Sequence, residues 1–279
     1  MTEAIGLVTD STADLPSDLA MEQNIAVVPA IVVVEGRSYE DGADVTRQEF
    51  YRRLPSLRVP ATTAAPPAAA FERAYENLLA AGVRRILSVH LSRRLSGVYG
   101  IATQAARSFG ERVRVIDSGQ VSLGLGFQVH EAARSIRRGA SWEAVQEVLA
   151  QAGRRVRTIA MIEQLDYLRR SGRVDWVRSS LGSLLHVRLL LEVADGWIRR
   201  LGQFRTRHQA IEGLRSMAAG WTPVQRFGVL HSASEDEARE LAERLTQEAA
   251  KEAPLVVDVT PVIGVHVGPR CLGVVGLLR

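Results

Sequence analysis

Ile5-Gly6-Leu7-Val8-Thr9-Asp10-Ser11-Thr12 is a short apolar run that stops on an acid and two hydroxyls. The unit returns twice. Residues 86–89 lead into Leu91-Ser92-Arg93-Arg94-Leu95-Ser96-Gly97, and residues 113–116 lead into Asp117-Ser118-Gly119. Each is followed by a helical pattern, the longest over 98–108 and 123–138, stopped by Gly110 and Gly139. Glycine readily takes the left-handed backbone that closes a helix. Strands that are apolar throughout, alternating with helices, predict a parallel sheet covered on both faces, because a sheet with one wet face would alternate polar and apolar residues.

Working outward, residues 26–34 are strongly β-prone, Glu35-Gly36 reads as a turn and 37–40 as a returning strand. Thr46-x-x-Glu49 is a capping box that opens a short helix. Residues 59–67, rich in proline, read as a stiff loop, and a helix is expected over 68–81. The pattern changes near Gly153. A strand at 157–162 precedes short helices at 165–170 and 175–184. Strands at 187–193 and 197–203 flank Ala194-Asp195-Gly196, a hairpin signal. Thr206-x-x-Gln209 and Ser234-x-x-Glu237 are capping boxes of two long helices, and strands at 227–231, 255–259 and 272–278 complete a mixed sheet. The expected fold is α/β with two domains. An N-terminal Rossmann-like parallel sheet with a hairpin excursion spans 1–155, and a C-terminal mixed sheet with helices spans 156–279.

Composition narrows the function. At 46% hydrophobic and 24% charged residues the 279-residue chain is globular. No apolar run approaches the roughly 20 residues that span a bilayer, and the first ten residues lack the pattern of a signal peptide. The single cysteine, Cys271, fits a reducing, cytoplasmic setting and excludes an internal disulfide. Lys251 is the only lysine, so a P-loop and Schiff-base chemistry have little to stand on. The six histidines show no metal-ligand spacing, and no G-x-S-x-G elbow is present. The arginine pairs are dispersed among acids, and aromatics are only 5%, so no nucleic-acid surface is indicated. Neither a metal nor a cofactor is expected.

In an open parallel sheet, ligands bind beyond the carboxyl ends of the strands. Here those ends carry Ser11-Thr12, then Ser92, Ser96 and Gly97, then Ser118, Gly119 and Ser122. Any one serine reads equally as a helix cap. Three such turns at one edge favour a small ligand with an acidic head, since hydroxyls and the free amides of a helix start receive an anion. His266, before Val267-Gly268-Pro269, is the one histidine placed to face such a cavity.

The residues then resemble a known family. Asp10-Ser11-Thr12-Ala13-Asp14-Leu15-Pro16 resembles the opening signature of the DegV family of bacterial fatty-acid-binding proteins. Leu95-Ser96-Gly97-Val98-Tyr99 is similar to its L-S-G-T-Y. Asp117-Ser118, with Ser122-x-Gly124-x-Gly126, is similar to its D-S-x3-S-x-G-x-G. Leu165 to Arg173 resembles its L-x-Y-L-x-x-G-G-R, and His266-Val267-Gly268-Pro269 its H-x-G-P-G. Five pieces in order carry the resemblance along nearly the whole chain.

The resemblance implies one long-chain fatty acid, such as a C16–C18 acid, in an interdomain tunnel. It also implies that the carboxylate is presented to a separate fatty-acid kinase, which makes an acyl phosphate for phospholipid synthesis. The binding protein itself then has no catalytic residue. By position, Thr62, Thr63, Ser92, Ser96, Gly97, Arg173 and His266 are implied at the head group, and Arg205 and Arg207 at the kinase-docking surface. Ala64, Ala65, Arg93, Val98, Arg270 and Cys271 depart from the family pattern. Two other classes are weighed: a serine-dependent acyl hydrolase using Ser96 or Ser118 with a histidine, and a nucleic-acid-binding regulator using the arginines.

Overall fold

The structure is a computed structural model that describes residues 4–42, 44–173, 187–249 and 252–279. The helix expected over 175–184, His186 and Lys251 lie outside the described residues. Strands β1 (Ile5–Asp10), β2 (Ile25–Val28), β6 (Arg85–His90) and β7 (Val113–Asp117) form a parallel sheet in the order β2-β1-β6-β7. All six residues of β1 are buried, as its unbroken apolar run requires.

The excursion differs from expectation in two places. The run 26–34 is divided at Pro29 and Ala30. β2 stays in the parallel sheet, while β3 (Ile31–Val34) pairs antiparallel with β4 (Arg37–Glu40). Proline has no amide to give a ladder, so the strand changes sheets there. The loop 59–67 also contains a strand, β5 (Thr62–Ala64), which pairs with β3 through Val32 and Thr63. This pairing fixes where Thr63 stands.

The second, mixed sheet runs in the order β10-β9-β8-β13-β11-β12. Its strands are β8 (Val156–Ile162), β9 (Arg188–Ala194), β10 (Trp197–Phe204), β11 (Val224–His231), β12 (Leu255–Asp258) and β13 (Leu272–Leu278). The hairpin turn is as predicted: Asp195 and Gly196 both have positive φ, 51° and 75°, and Ala194 pairs with Trp197.

Ten helices accompany the sheets among the described residues: α1 (Ser17–Glu22), α2 (Arg47–Arg53), α3 (Ala68–Ala80), α4 (Val98–Ala106), α5 (Leu123–Arg137), α6 (Trp142–Arg155), α7 (Leu165–Ser171), α8 (Arg207–Ala219), α9 (Glu235–Glu248) and α10 (Pro261–Val267). Thr46 and Thr206 cap α2 and α8 through the amides of Glu49 and Gln209, each at 3.2 Å. Ser234 makes no such bond at α9. Gly153 does not break the chain. α6 runs through it, with Gln128 of α5 against that face, and hands over directly to β8.

α5 is the central element. Its Leu125 and Val129 belong to the core under the parallel sheet, while Leu123 and Phe127 belong to a second core with Leu230 and Val275 of the mixed sheet. The far side of the mixed sheet buries Ile159, Met161 and Leu190 under α8 and α9. The near side is left facing the carboxyl edge of the parallel sheet.

Candidate functional site

The first turn shows why the sequence needs its acids there. One Asp10 carboxylate oxygen accepts from the Thr12 amide (3.1 Å) and hydroxyl; the other accepts from the Leu91 amide (3.2 Å) and lies 2.9 Å from His90 Nδ1. Burial pushes this carboxyl up, but the bonds from His90, Thr12 and Leu91 hold it below the ordinary aspartate value. Asp14 ties the same turn across the molecule, accepting from Ser122 Oγ at 2.5 Å and from the Thr260 amide at 2.8 Å. Ser122 has φ 55° and ψ −145°, a conformation that costs a side-chain-bearing residue roughly 1–3 kcal/mol; its bond to Asp14 helps hold it there.

These turns bound a cavity of about 360 Å³ between the two sheets. Its walls are apolar and come from both: Leu91, Val98 and Val121 on one side, Ala160, Leu191 and Val193 on the other. Thr63, Ser96, Gly97, Arg173 and His266 are among its lining residues. His266 sits in the last turn of α10, with Nε2 3.1 Å from Thr63 Oγ1. Its Nδ1 is buried and finds no partner among the described residues. Burial first, and the charge of Arg173 second, lower its pKa to about 4, so the ring is neutral at neutral pH. Ser96 Oγ lies 3.4 Å from the Val98 amide at the start of α4, where Gly97 occupies the cap without a side chain of its own. Hydroxyls, helix-start amides and a guanidinium together suit an anionic head, while the walls suit a hydrocarbon.

Two of the expected head-group residues stand elsewhere. Thr62 is exposed and lines a smaller recess of about 170 Å³ beyond His266, shared with Tyr167 and Arg170. Ser92 is buried and does not line the cavity; its hydroxyl accepts from the Arg94 amide at 3.3 Å and lies against Gly196 of the hairpin. The two arginines of the expected docking segment also differ. Arg205 is exposed. Arg207 does not offer its guanidinium to solvent: both Glu237 oxygens and Glu163 Oε2 accept from it at 2.6 to 2.7 Å. Thr12 and Ser122, two of the strand-end hydroxyls expected to face a ligand, also line the cavity, and so does Thr158, which carries no signal in sequence, since threonine is ordinary in a strand.

The hydrolase arrangement is not assembled at the cavity. Ser96 and Ser118 hydrogen-bond to Val98 and Gln120 rather than to a histidine. A Ser–His–Asp line does exist, with Ser88 Oγ 2.6 Å from His90 Nε2 and His90 Nδ1 2.9 Å from Asp10, but all three residues are fully buried and Tyr75 closes the serine end. Several exposed arginines are paired at the surface: Arg93 meets Asp117, Arg137 meets Glu22, Arg154 meets Glu147, and Arg94 lies over Trp197. No group of three metal-ligating side chains is present among the described residues, and none of their helices is long and apolar enough to cross a membrane.

Residues 4–278 match the family model described as "Uncharacterised protein, DegV family". The chain belongs to the DegV family. A DegV domain-containing protein of Streptomyces coelicolor is 36% identical over 282 residues, covering 99% of each chain. Among solved structures, a DegV family protein from Thermus thermophilus superposes with a TM-score of 0.90 at 32% identity, over 98% of this chain and 99% of its own; it is described by its fatty acid binding. DegV from Bacillus subtilis, described as a fatty acid binding protein, gives 0.88 at 29% identity over 99% and 100%. The two α/β domains, one with a parallel and one with a mixed sheet, are those of the DegV structures.

Proposed function

We propose that this chain binds one long-chain fatty acid between its two domains, divided at Arg155 and Val156, and presents the carboxylate to a separate fatty-acid kinase in the cytoplasm. The observation that carries the reading is the lining of the cavity: an apolar hollow edged by Thr63, Ser96, Arg173 and His266, with Thr63 Oγ1 3.1 Å from His266 Nε2. The fatty-acid-binding relatives from Thermus thermophilus and Bacillus subtilis support it. Thr63 and Ser96 donate to the carboxylate, the Gly97 helix start and Arg173 offset its charge, and His266 orients Thr63 while neutral. Thr62 belongs to the entrance, Ser92 braces the hairpin, and Arg205 is the residue offered to the kinase.

The energetics favour the tail. About 15 buried methylenes at roughly 0.8 kcal/mol each give a gross gain of about 12 kcal/mol, before the cost of immobilising the chain. Head-group hydrogen bonds replace bonds to water and contribute about 1 kcal/mol each. The tail therefore sets affinity and the head sets orientation. The test is to denature the purified protein, extract it with organic solvent and identify the extract by mass spectrometry. One fatty acid per chain is expected. An empty extract, with no uptake of added fatty acid, overturns the reading.

A further inference from the structure

One group in the cavity is out of keeping with a plain hydrocarbon. Along β8 the residues alternate: Ile159 and Met161 face the core under α8 and α9, while Thr158, Ala160 and Ile162 face the cavity. Thr158 stands between Val193 of β9 and Val275 of β13 and is only 3% exposed. Its hydroxyl finds no hydrogen-bond partner among the described residues. A second unpartnered oxygen is beside it. Gln120 is 4% exposed; its amide nitrogen donates to the Val193 carbonyl at 3.1 Å, which fixes the orientation of the carboxamide and leaves Oε1 without a donor among the described residues. Both oxygens converge on Gly124 at the start of α5: a Cβ there would lie 2.5 Å from Thr158 Oγ1 and 2.7 Å from Gln120 Oε1. The glycine makes the room that they occupy.

We infer that the cavity wall at Thr158, backed by Gln120, is a polar niche that recognises a hydroxyl group on the acyl chain, so that the protein's preferred ligands include hydroxylated long-chain fatty acids. This rests on the reading that the cavity holds an acyl chain. A buried oxygen left unpaired costs free energy, and one facing a saturated chain stays unpaired. The carboxamide oxygen only accepts, whereas a threonine hydroxyl both donates and accepts. A ligand hydroxyl that reaches Thr158 Oγ1 can donate to it or accept from it, giving the threonine the partner that a saturated chain withholds. Thr158 lies four residues along the strand, roughly 13 Å at the rise of a β-strand, from Ile162, whose cluster includes Leu168 of α7 and Val267, the neighbour of His266. The hydroxyl it meets therefore belongs to the middle or distal part of the chain rather than to the carbon beside the carboxylate.

The experiment compares stearate with 10-hydroxystearate and 12-hydroxystearate, and palmitate with 16-hydroxypalmitate, for binding to the full chain, to Thr158→Val and to Thr158→Ser. Valine keeps the β-branched shape and removes the hydroxyl; serine keeps the hydroxyl. At least one hydroxy acid is expected to bind the wild-type chain roughly threefold to tenfold more tightly than its parent, a span typical of one net hydrogen bond. That advantage should vanish in Thr158→Val and persist in Thr158→Ser, while the parent acids bind Thr158→Val at least as well as wild type. If the parent acids bind and no hydroxy acid is preferred, or if the preference survives in Thr158→Val, the niche is refuted and the acyl reading stands. If neither parent nor hydroxy acids bind the wild-type chain, the acyl reading itself falls.

Discussion

Asp14, bonded to Ser122 of the cavity wall, and His266, which lines the cavity, are both buried, yet burial drives their titrations in opposite senses. The Asp14 carboxyl is raised to about 7, chiefly by burial, against opposing effects of Arg47, Ser122 and the Thr260 amide; Asp41 is raised to about 6 for the same leading reason. The folded chain thus holds protons that the unfolded chain releases near 3.8, and the stability tied to these acids falls as pH rises from about 4 to about 7. His266 and His130, both lowered to about 4 by burial, refuse protons that the unfolded chain binds near 6.5. Stability tied to them falls as pH drops from about 6.5 to about 4. The two groups offset one another over most of that interval. Asp14→Asn keeps an acceptor for the Thr260 amide and removes the buried charge. Its stability gain over wild type should widen by roughly 3 kcal/mol between pH 5 and pH 8, read from urea midpoints at both pH values. An equal gain at both would mean that Asp14 does not titrate in this range. At this scale the site was only partly legible. Hydroxyls at strand ends announce themselves by position, and Thr63, Ser96, Arg173 and His266 each line the cavity. Arg207 could not be judged from its neighbours in sequence, because its acids are Glu163 and Glu237, 44 and 30 residues away.

At the scale of elements, most strands and helices follow from apolar period and from caps, and their ends fall within a few residues of expectation. What the sequence hid were changes of partner. Pro29 moves the chain from one sheet to another, and Thr62–Ala64 is a strand only because β3 has a free edge to receive it. The pair Gly124 and Gly126 is another case. Its spacing alone does not say why two glycines stand there, but in α5 they set how closely the helix approaches its neighbours. A Cβ on Gly126 would lie 2.6 Å from the Ala13 carbonyl oxygen, which is backbone and cannot swing aside. Gly100 of α4 has nothing within 4 Å of the same point. Gly126→Ala should therefore destabilise by about 1–3 kcal/mol through overpacking, while Gly100→Ala should stabilise by about 0.5–1 kcal/mol by lowering the entropy of the unfolded chain. Chemical denaturation of the two variants decides this. Similar effects in both would mean that α5 can shift away from the β1 turn without loss.

Across the whole molecule, the hairpin and the parallel sheet meet at the cavity: the Gly196 amide donates to the Gly119 carbonyl at 2.7 Å and Arg94 lies over Trp197. Arg205, exposed just beyond this hairpin, and the cavity are separable in function under the proposed reading. Arg205→Glu should lower acyl-phosphate formation by a fatty-acid kinase without changing the lipid extracted; loss of lipid would place Arg205 at the pocket instead. The hollow itself offers the sharper separation. A cavity retained in a folded protein forgoes dispersion contacts that a filled core would have, so a molecule selected for stability alone would close it. Ala160 lies on β8 between Leu191 of β9 and Gly273 of β13, facing the cavity with the smallest side chain that a strand can carry besides glycine. Phenylalanine at this position would enter space that is already open and add contacts with the apolar walls. Ala160→Phe is expected to keep or raise the thermal midpoint measured without added lipid, to yield no fatty acid on extraction, and to lose the rise in midpoint that fatty acid gives the wild-type chain by binding the folded state. A variant that is equally stable but still carries the acid would place the acyl chain outside this cavity. A variant that unfolds would show that the space around Ala160 is closed to a ring, and Ala160→Leu, with a smaller side chain, would then be expected to shorten the longest acid bound.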